Sequence, residues 1–122
     1  MAEHRKRILI GEDDESILKM TKIRLEHEGY DVLVARDGEE VLAQAVTQRP
    51  IHMILLDIRM PNLDGYQVCQ RLKAAASTAA IPMVDRCIAV GVSDWIRKPF
   101  RTSDLIAKIH RVLASAEETA HE

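Results

Sequence analysis

"MILLDIRMPNLDG", residues 53–65, is the stretch on which the fold turns. Four apolar residues, Met53 to Leu56, lead into a carboxylate, Asp57, and the chain then bends through Pro61 towards Gly65. A short apolar run bounded by turn residues predicts a strand buried on both faces. An acid at the end of such a strand is costly unless it sits at a rim or has a partner.

Outward from this stretch the chain alternates between two periods. "RILIG" (7–11) is a short apolar run, followed by the helix-starting acids Asp13, Asp14 and Glu15. From Glu15 to Glu28, Ile17, Leu18, Thr21 and Leu25 fall on one helical face, and Gly29 stops the helix. "DVLVA" (31–35) is β-branched and strand-like. "DGEEVLAQAVTQRP" (37–50) predicts a capped helix with Val41, Leu42, Ala45 and Val46 inward. "IHMILLD" (51–57) is the most hydrophobic strand and is expected at the centre. Residues 64–76 place Val68, Cys69 and Leu72 at helical spacing, and "IPMV" (81–84) and "DWIRK" (94–98) predict two more strands. Residues 102–116 predict a closing helix with Leu105, Ile106, Ile109, Val112 and Leu113 inward. Apolar strands alternating with amphipathic helices indicate an α/β fold, a parallel sheet covered on both faces.

A chain of 122 residues, 47% hydrophobic and 30% charged, suits a single domain over 1–122, with a core over about 7–116 and a polar tail over 117–122. The formal net charge of -2 carries no electrostatic footprint for nucleic acid. Cys69 and Cys87 lie far apart with no Cys or His at metal spacing, and predict buried thiols in a reducing compartment. No apolar run is long enough to span a membrane, and the basic start "MAEHRKR" precedes too short an apolar run for a secretion signal. The expected location is the cytoplasm.

One interval breaks the alternation. Only nine residues, 85–93, separate Val84 from Asp94. A crossover between parallel strands ordinarily takes a dozen or more, usually including a helix. Either most of a helix has been lost, or residues are missing from the sequence, and omission is the favoured expectation.

Ligands of open α/β sheets sit outside the carboxyl ends of the strands. The first strand ends in Glu12, Asp13 and Asp14, the third in Asp57, and the last in Lys98, followed by Pro99. Taken singly, "GEDDE" caps a helix, Asp57 is a loop acid and Lys98 is a solvated charge. Together they place several acids and a lysine on one sheet edge. Clustered carboxylates repel unless a positive charge sits among them, and an oxygen-only donor set suits Mg²⁺ or Mn²⁺. Lys98 would then supply a point charge for a phosphoryl oxygen, and Asp57 is a plausible nucleophile. The reaction class indicated is phosphoryl transfer onto Asp57.

With these pieces in view, the chain resembles the receiver domains of two-component response regulators. The resemblance rests on "ILIGEDDE", "MILLDIRMPNLDG", the "IP" before the fourth strand, and "GVSDWIRKPF", in the family's order from about Arg7 to Leu113. It implies a flavodoxin-like, doubly wound, five-stranded parallel sheet of order 2-1-3-4-5, here with the fourth crossover helix shortened or missing. It implies that Asp57 accepts a phosphoryl group from a histidine kinase or histidine phosphotransfer protein. Asp13 would ligate Mg²⁺ directly, Glu12 through water, and the backbone carbonyl of Arg59 would complete the protein ligands. Lys98 would contact the phosphoryl group, with a cis bond before Pro99. Trp95 falls at the family's switch aromatic, although a packed core tryptophan reads equally from the residue alone. Pro61, Asn62, Asp64 and Gly65 would turn the chain into the third helix. Asp14 and Glu15 are expected to start the first helix. The protein would control a downstream effector or output domain, with no turnover of an external substrate and no contact with nucleic acid or membrane. A monomer or a weak phosphorylation-dependent dimer is expected.

The family carries a Thr or Ser at the end of its fourth strand, and here Val84 runs into Asp85 with no hydroxyl. That departure supports an alternative, a degenerate receiver that binds partners without being phosphorylated. A phosphatase of the haloacid-dehalogenase type is disfavoured, because its second acid would fall at Arg59. No output domain is expected after the closing helix.

Overall fold

The structure is a computed structural model, and it describes residues 5–48, 50–57, 65–75, 78–79, 81, 83–85, 94–95 and 102–120. Five strands, β1 (Arg7–Gly11), β2 (Asp31–Ala35), β3 (Met53–Leu56), β4 (Met83–Asp85) and β5 (Asp94–Trp95), form one sheet of order β2-β1-β3-β4-β5. Every pairing is parallel. Four helices, α1 (Glu15–His27), α2 (Gly38–Thr47), α3 (Gly65–Ala74) and α4 (Thr102–Ala120), connect and cover it.

Side chains along a strand point alternately to opposite faces, so each apolar run feeds two cores. On one face Ile8, Ile10, Met53 and Leu55 pack with Leu18 and Leu25 of α1 and with Leu105, Ile106, Ile109, Val112 and Leu113 of α4. On the other, Leu9, Ile54 and Leu56 pack with Val41 and Ala45 of α2 and with Val68, Cys69 and Leu72 of α3. All four residues of β3 are fully buried, as expected of the central strand. Each such Leu or Ile contributes about 1.5–3 kcal/mol on burial, so the two faces together supply most of the driving force.

The helix boundaries follow local chemistry. Asp14 caps α1, its side chain accepting from the amides of Ser16 and Ile17 at 2.9 and 3.1 Å. Gly29 ends the helix at φ +96, a left-handed conformation that costs other residues more. Asp37 caps α2 by accepting from the amide of Glu40 at 2.9 Å. Buried Thr78 closes the end of α3, its hydroxyl donating to the carbonyl of Leu72 at 2.6 Å.

Three expectations are corrected. Val46, expected inward, is 53% exposed, because the buried stripe of α2 is narrow and centred on Val41 and Ala45. β4 starts at Met83, after Pro82, and extends through Asp85, consistent with a proline having no amide for the ladder. α4 runs to Ala120 rather than ending near Ala116, since the added residues are mostly helix formers and include neither Gly nor Pro. β4 runs through Val84 and Asp85, with Val84 opposite Asp94 and Asp85 opposite Trp95; residues 86–93, on which the expectation of an omitted or shortened crossover falls, lie outside the described residues.

Candidate functional site at the carboxyl edge of the sheet

β1 and β3 are in register, with Gly11 opposite Leu56. The next residue of each strand is an acid, Glu12 and Asp57. The ladder continues one step beyond both strands: the amide of Asp57 donates to the carbonyl of Gly11, and that of Glu12 to the carbonyl of Ala35, each at 3.0 Å. Two carboxylates thus leave neighbouring strands at one height, fixed by backbone geometry.

Asp13 completes the group. One carboxylate oxygen from each of Glu12, Asp13 and Asp57 lies within 4.8 Å of the others. Glu12 is 1% and Asp57 2% exposed, whereas Asp13 is open to solvent. Three like charges at such separations repel strongly, and more so where water is excluded. A divalent cation at their centre reverses the sign of that interaction. The donors are all oxygen, matching the hard-cation preference. These residues fit the Mg²⁺ that the resemblance implies.

The neighbouring acids have other duties. Asp14 is the cap of α1, and its amide donates to Oε2 of Glu12 at 3.3 Å, which helps orient that carboxylate. Glu15 forms an ion pair with Arg36, through Nε to Oε1 and through Nη2 to Oε2 at 3.5 Å. The hydrogen bond from Arg36 holds the Glu15 carboxyl below the usual glutamate range, and Glu15 in turn raises the Arg36 guanidinium. The amide of Arg36 donates to Oε2 of Glu40 at 3.3 Å, so that glutamate holds the entry to α2 in a variant of the capping box.

Of the expected site residues, the structure brings together Glu12, Asp13 and Asp57. Gly65 is the first residue of α3. Trp95 is the second residue of β5, opposite Asp85. Arg59, Pro61, Asn62, Asp64, Lys98 and Pro99 lie outside the described residues. Arg36 is the residue the sequence reading missed. It directly follows β2, and a sheet in which β2 flanks β1 brings it to this edge.

The sequence matches the family model described as response regulator receiver domain over residues 8–110. It is 36% identical to the alkaline phosphatase synthesis transcriptional regulatory protein PhoP of Bacillus subtilis, over 94% of this chain and 51% of that protein. It is 37% identical to the DNA-binding dual master transcriptional regulator RpaA of Synechocystis, over 88% of this chain and 48% of that one. The chain spans about half the length of these curated relatives. The aligned span with PhoP, 124 residues, exceeds the 122 residues of this chain, so the relative carries positions that have no counterpart here. A CheY-like receiver domain from Methanospirillum hungatei superposes with a TM-score of 0.84 at 30% identity, over 95% of this chain and 99% of that one. The receiver domain of a signal transduction histidine kinase from Syntrophus aciditrophicus gives a TM-score of 0.84 at 28% identity, over 90% and 91% of the two chains. With the sheet order, the acidic edge and the family match in agreement, this chain belongs to the response regulator receiver domains of two-component systems.

Proposed function

We propose that the domain takes a phosphoryl group from a phosphohistidine donor, a histidine kinase or histidine phosphotransfer protein, onto Asp57 in a Mg²⁺-dependent reaction. The observation carrying this reading is the convergence of Glu12, Asp13 and Asp57 within 4.8 Å at the carboxyl edge of the sheet. A carboxylate oxygen of Asp57 attacks phosphorus, an acyl phosphate bond forms, and the P–N bond to the donor imidazole breaks, its electron pair returning to nitrogen, which takes up a proton. When bound, a divalent cation would supply charge neutralisation for the phosphoryl oxygens. Glu12 and Asp13 would hold it, with the carbonyl of Arg59 as a further ligand, and Lys98 would contact the phosphoryl group, as the family resemblance implies. Trp95 reports or transmits the change to a downstream effector or output domain. The domain does not turn over an external substrate, and it acts in the cytoplasm.

Incubation with acetyl phosphate and Mg²⁺, followed by intact mass measurement, tests this. Wild type gains one phosphoryl group, whereas Asp57→Asn does not, and beryllofluoride with Mg²⁺ changes the fluorescence of Trp95, the sole tryptophan. Unlabelled wild type with unchanged fluorescence refutes the proposal.

That outcome favours the second reading, a receiver that binds partners without phosphorylation. Its support is positional. Leu56 pairs with Asp85, so the residue ending β4 beside the acceptor strand is an acid rather than a hydroxyl.

A further inference from the structure

The loop carrying two of the three clustered acids is tied at both ends to the junction between β2 and α2. At one end the amide of Glu12 donates to the carbonyl of Ala35 at 3.0 Å. At the other, Arg36, the next residue after Ala35, forms its ion pair with Glu15. Between these ties lies Asp13, exposed to solvent. Four consecutive acids run from Glu12 to Glu15, and the first two meet a fifth, Asp57, from the neighbouring strand. Arg36 places a cation against this run, and it is paired with the one acid of the four that neither joins the cluster nor caps α1.

From this we infer that the Glu15–Arg36 pair is a charge-balancing and positioning element that sets the affinity of the acidic cluster for its divalent cation. The inference rests on the reading of Glu12, Asp13 and Asp57 as a metal site. Both partners are largely exposed, with 52% and 61% of the Arg36 and Glu15 side chains accessible. The pair therefore adds little to stability, but its charges still act on a divalent ion nearby. A unit charge within a Debye length of a divalent ion, about 10 Å at 0.1 M salt, changes its affinity by about twofold to fivefold at low ionic strength, and by little in high salt.

The two halves of the pair make opposite predictions. Arg36→Gln leaves Glu15 as an uncompensated anion and tightens Mg²⁺ binding. Glu15→Gln leaves Arg36 as an uncompensated cation and weakens it. The double variant returns close to wild type, and Arg36→Lys, which keeps the charge and loses the fork, stays close to wild type as well. A purely mechanical tie would instead shift both single variants in the same direction and would not be rescued by lysine.

Calorimetric titration of the whole chain with MgCl₂, at low and high salt, tests this, with circular dichroism spectra to verify that each variant is folded. Opposite shifts of about twofold to fivefold that fade in high salt support the inference. Shifts of one sign, or none, overturn it while leaving the metal site standing. Wild type that binds no Mg²⁺ overturns the metal site and the inference together.

Discussion

The hydroxyl of Tyr30 and Nδ1 of His110 lie 2.6 Å apart, joining the start of the edge strand to the closing helix across eighty residues of sequence. Nε2 of His110 faces Oε1 of Glu28 at 3.7 Å, so with the imidazole proton on Nε2 the tyrosine hydroxyl donates. The rings also touch, with centroids 5.6 Å apart. Burial, and to a lesser degree the Glu28 carboxylate, push the Tyr30 hydroxyl above the usual tyrosine range. In the unfolded chain Tyr30 ionises near its ordinary value of about 10, while the folded state still holds its proton. Above that pH the unfolded state binds fewer protons, and stability falls as pH rises. Tyr30→Phe loses about 1 kcal/mol at neutral pH and loses the tyrosine-linked part of the alkaline decline. Urea unfolding at pH 8 and pH 10.5 checks both.

The carboxylates of Glu12, Asp13 and Asp57 lie close enough to repel one another. Asp13→Asn therefore raises the midpoint of thermal unfolding in EDTA relative to wild type. Millimolar Mg²⁺ stabilises wild type by an amount that grows with the logarithm of its concentration, and stabilises Asp13→Asn much less. A wild-type midpoint indifferent to Mg²⁺ would remove the cation from this site.

Glu15 and Asp14 are separable despite being adjacent. Asp14→Ala removes the side-chain acceptor for the amides of Ser16 and Ile17 and costs about 1 kcal/mol of stability, read from denaturant unfolding. The Glu15–Arg36 pair acts instead through pH. Because the folded Glu15 carboxyl is lowered by Arg36, its contribution is present above the ordinary glutamate value and is lost as pH falls through the lowered folded value. The difference in midpoint between wild type and Arg36→Gln, small because both partners are exposed, should shrink as pH falls below the ordinary glutamate value of about 4.3.

Ile109 is fully buried in the core shared by α1, α4 and the sheet. Ile109→Ala costs about 2–5 kcal/mol and Ile109→Val about 0.5–1.5 kcal/mol. Thermal melts followed by circular dichroism give the order, and near-equal melts for the two variants would mean that α4 packs only loosely on the sheet.

Much of the molecule is written locally. The apolar run 53–56, the acid that follows it, the caps at Asp14 and Asp37, and the stop at Gly29 are short-range chemistry, and the sequence contains that chemistry outright. The periodicity also identified the five residues of α4 that are buried among those described. It failed at Val46, because successive helical positions differ by about 100° and only the width of the facing groove decides which flank is covered. Arg36 escaped notice because nothing near it in sequence marks it. Its partner is twenty-one residues away and meets it only when β2 takes its place beside β1.

The sequence by itself determined which residues could form strands and helices, and that an acid would close the central strand. Only the tertiary structure decided that Glu12, Asp13 and Asp57 meet within 4.8 Å, since that distance depends on strand order and register.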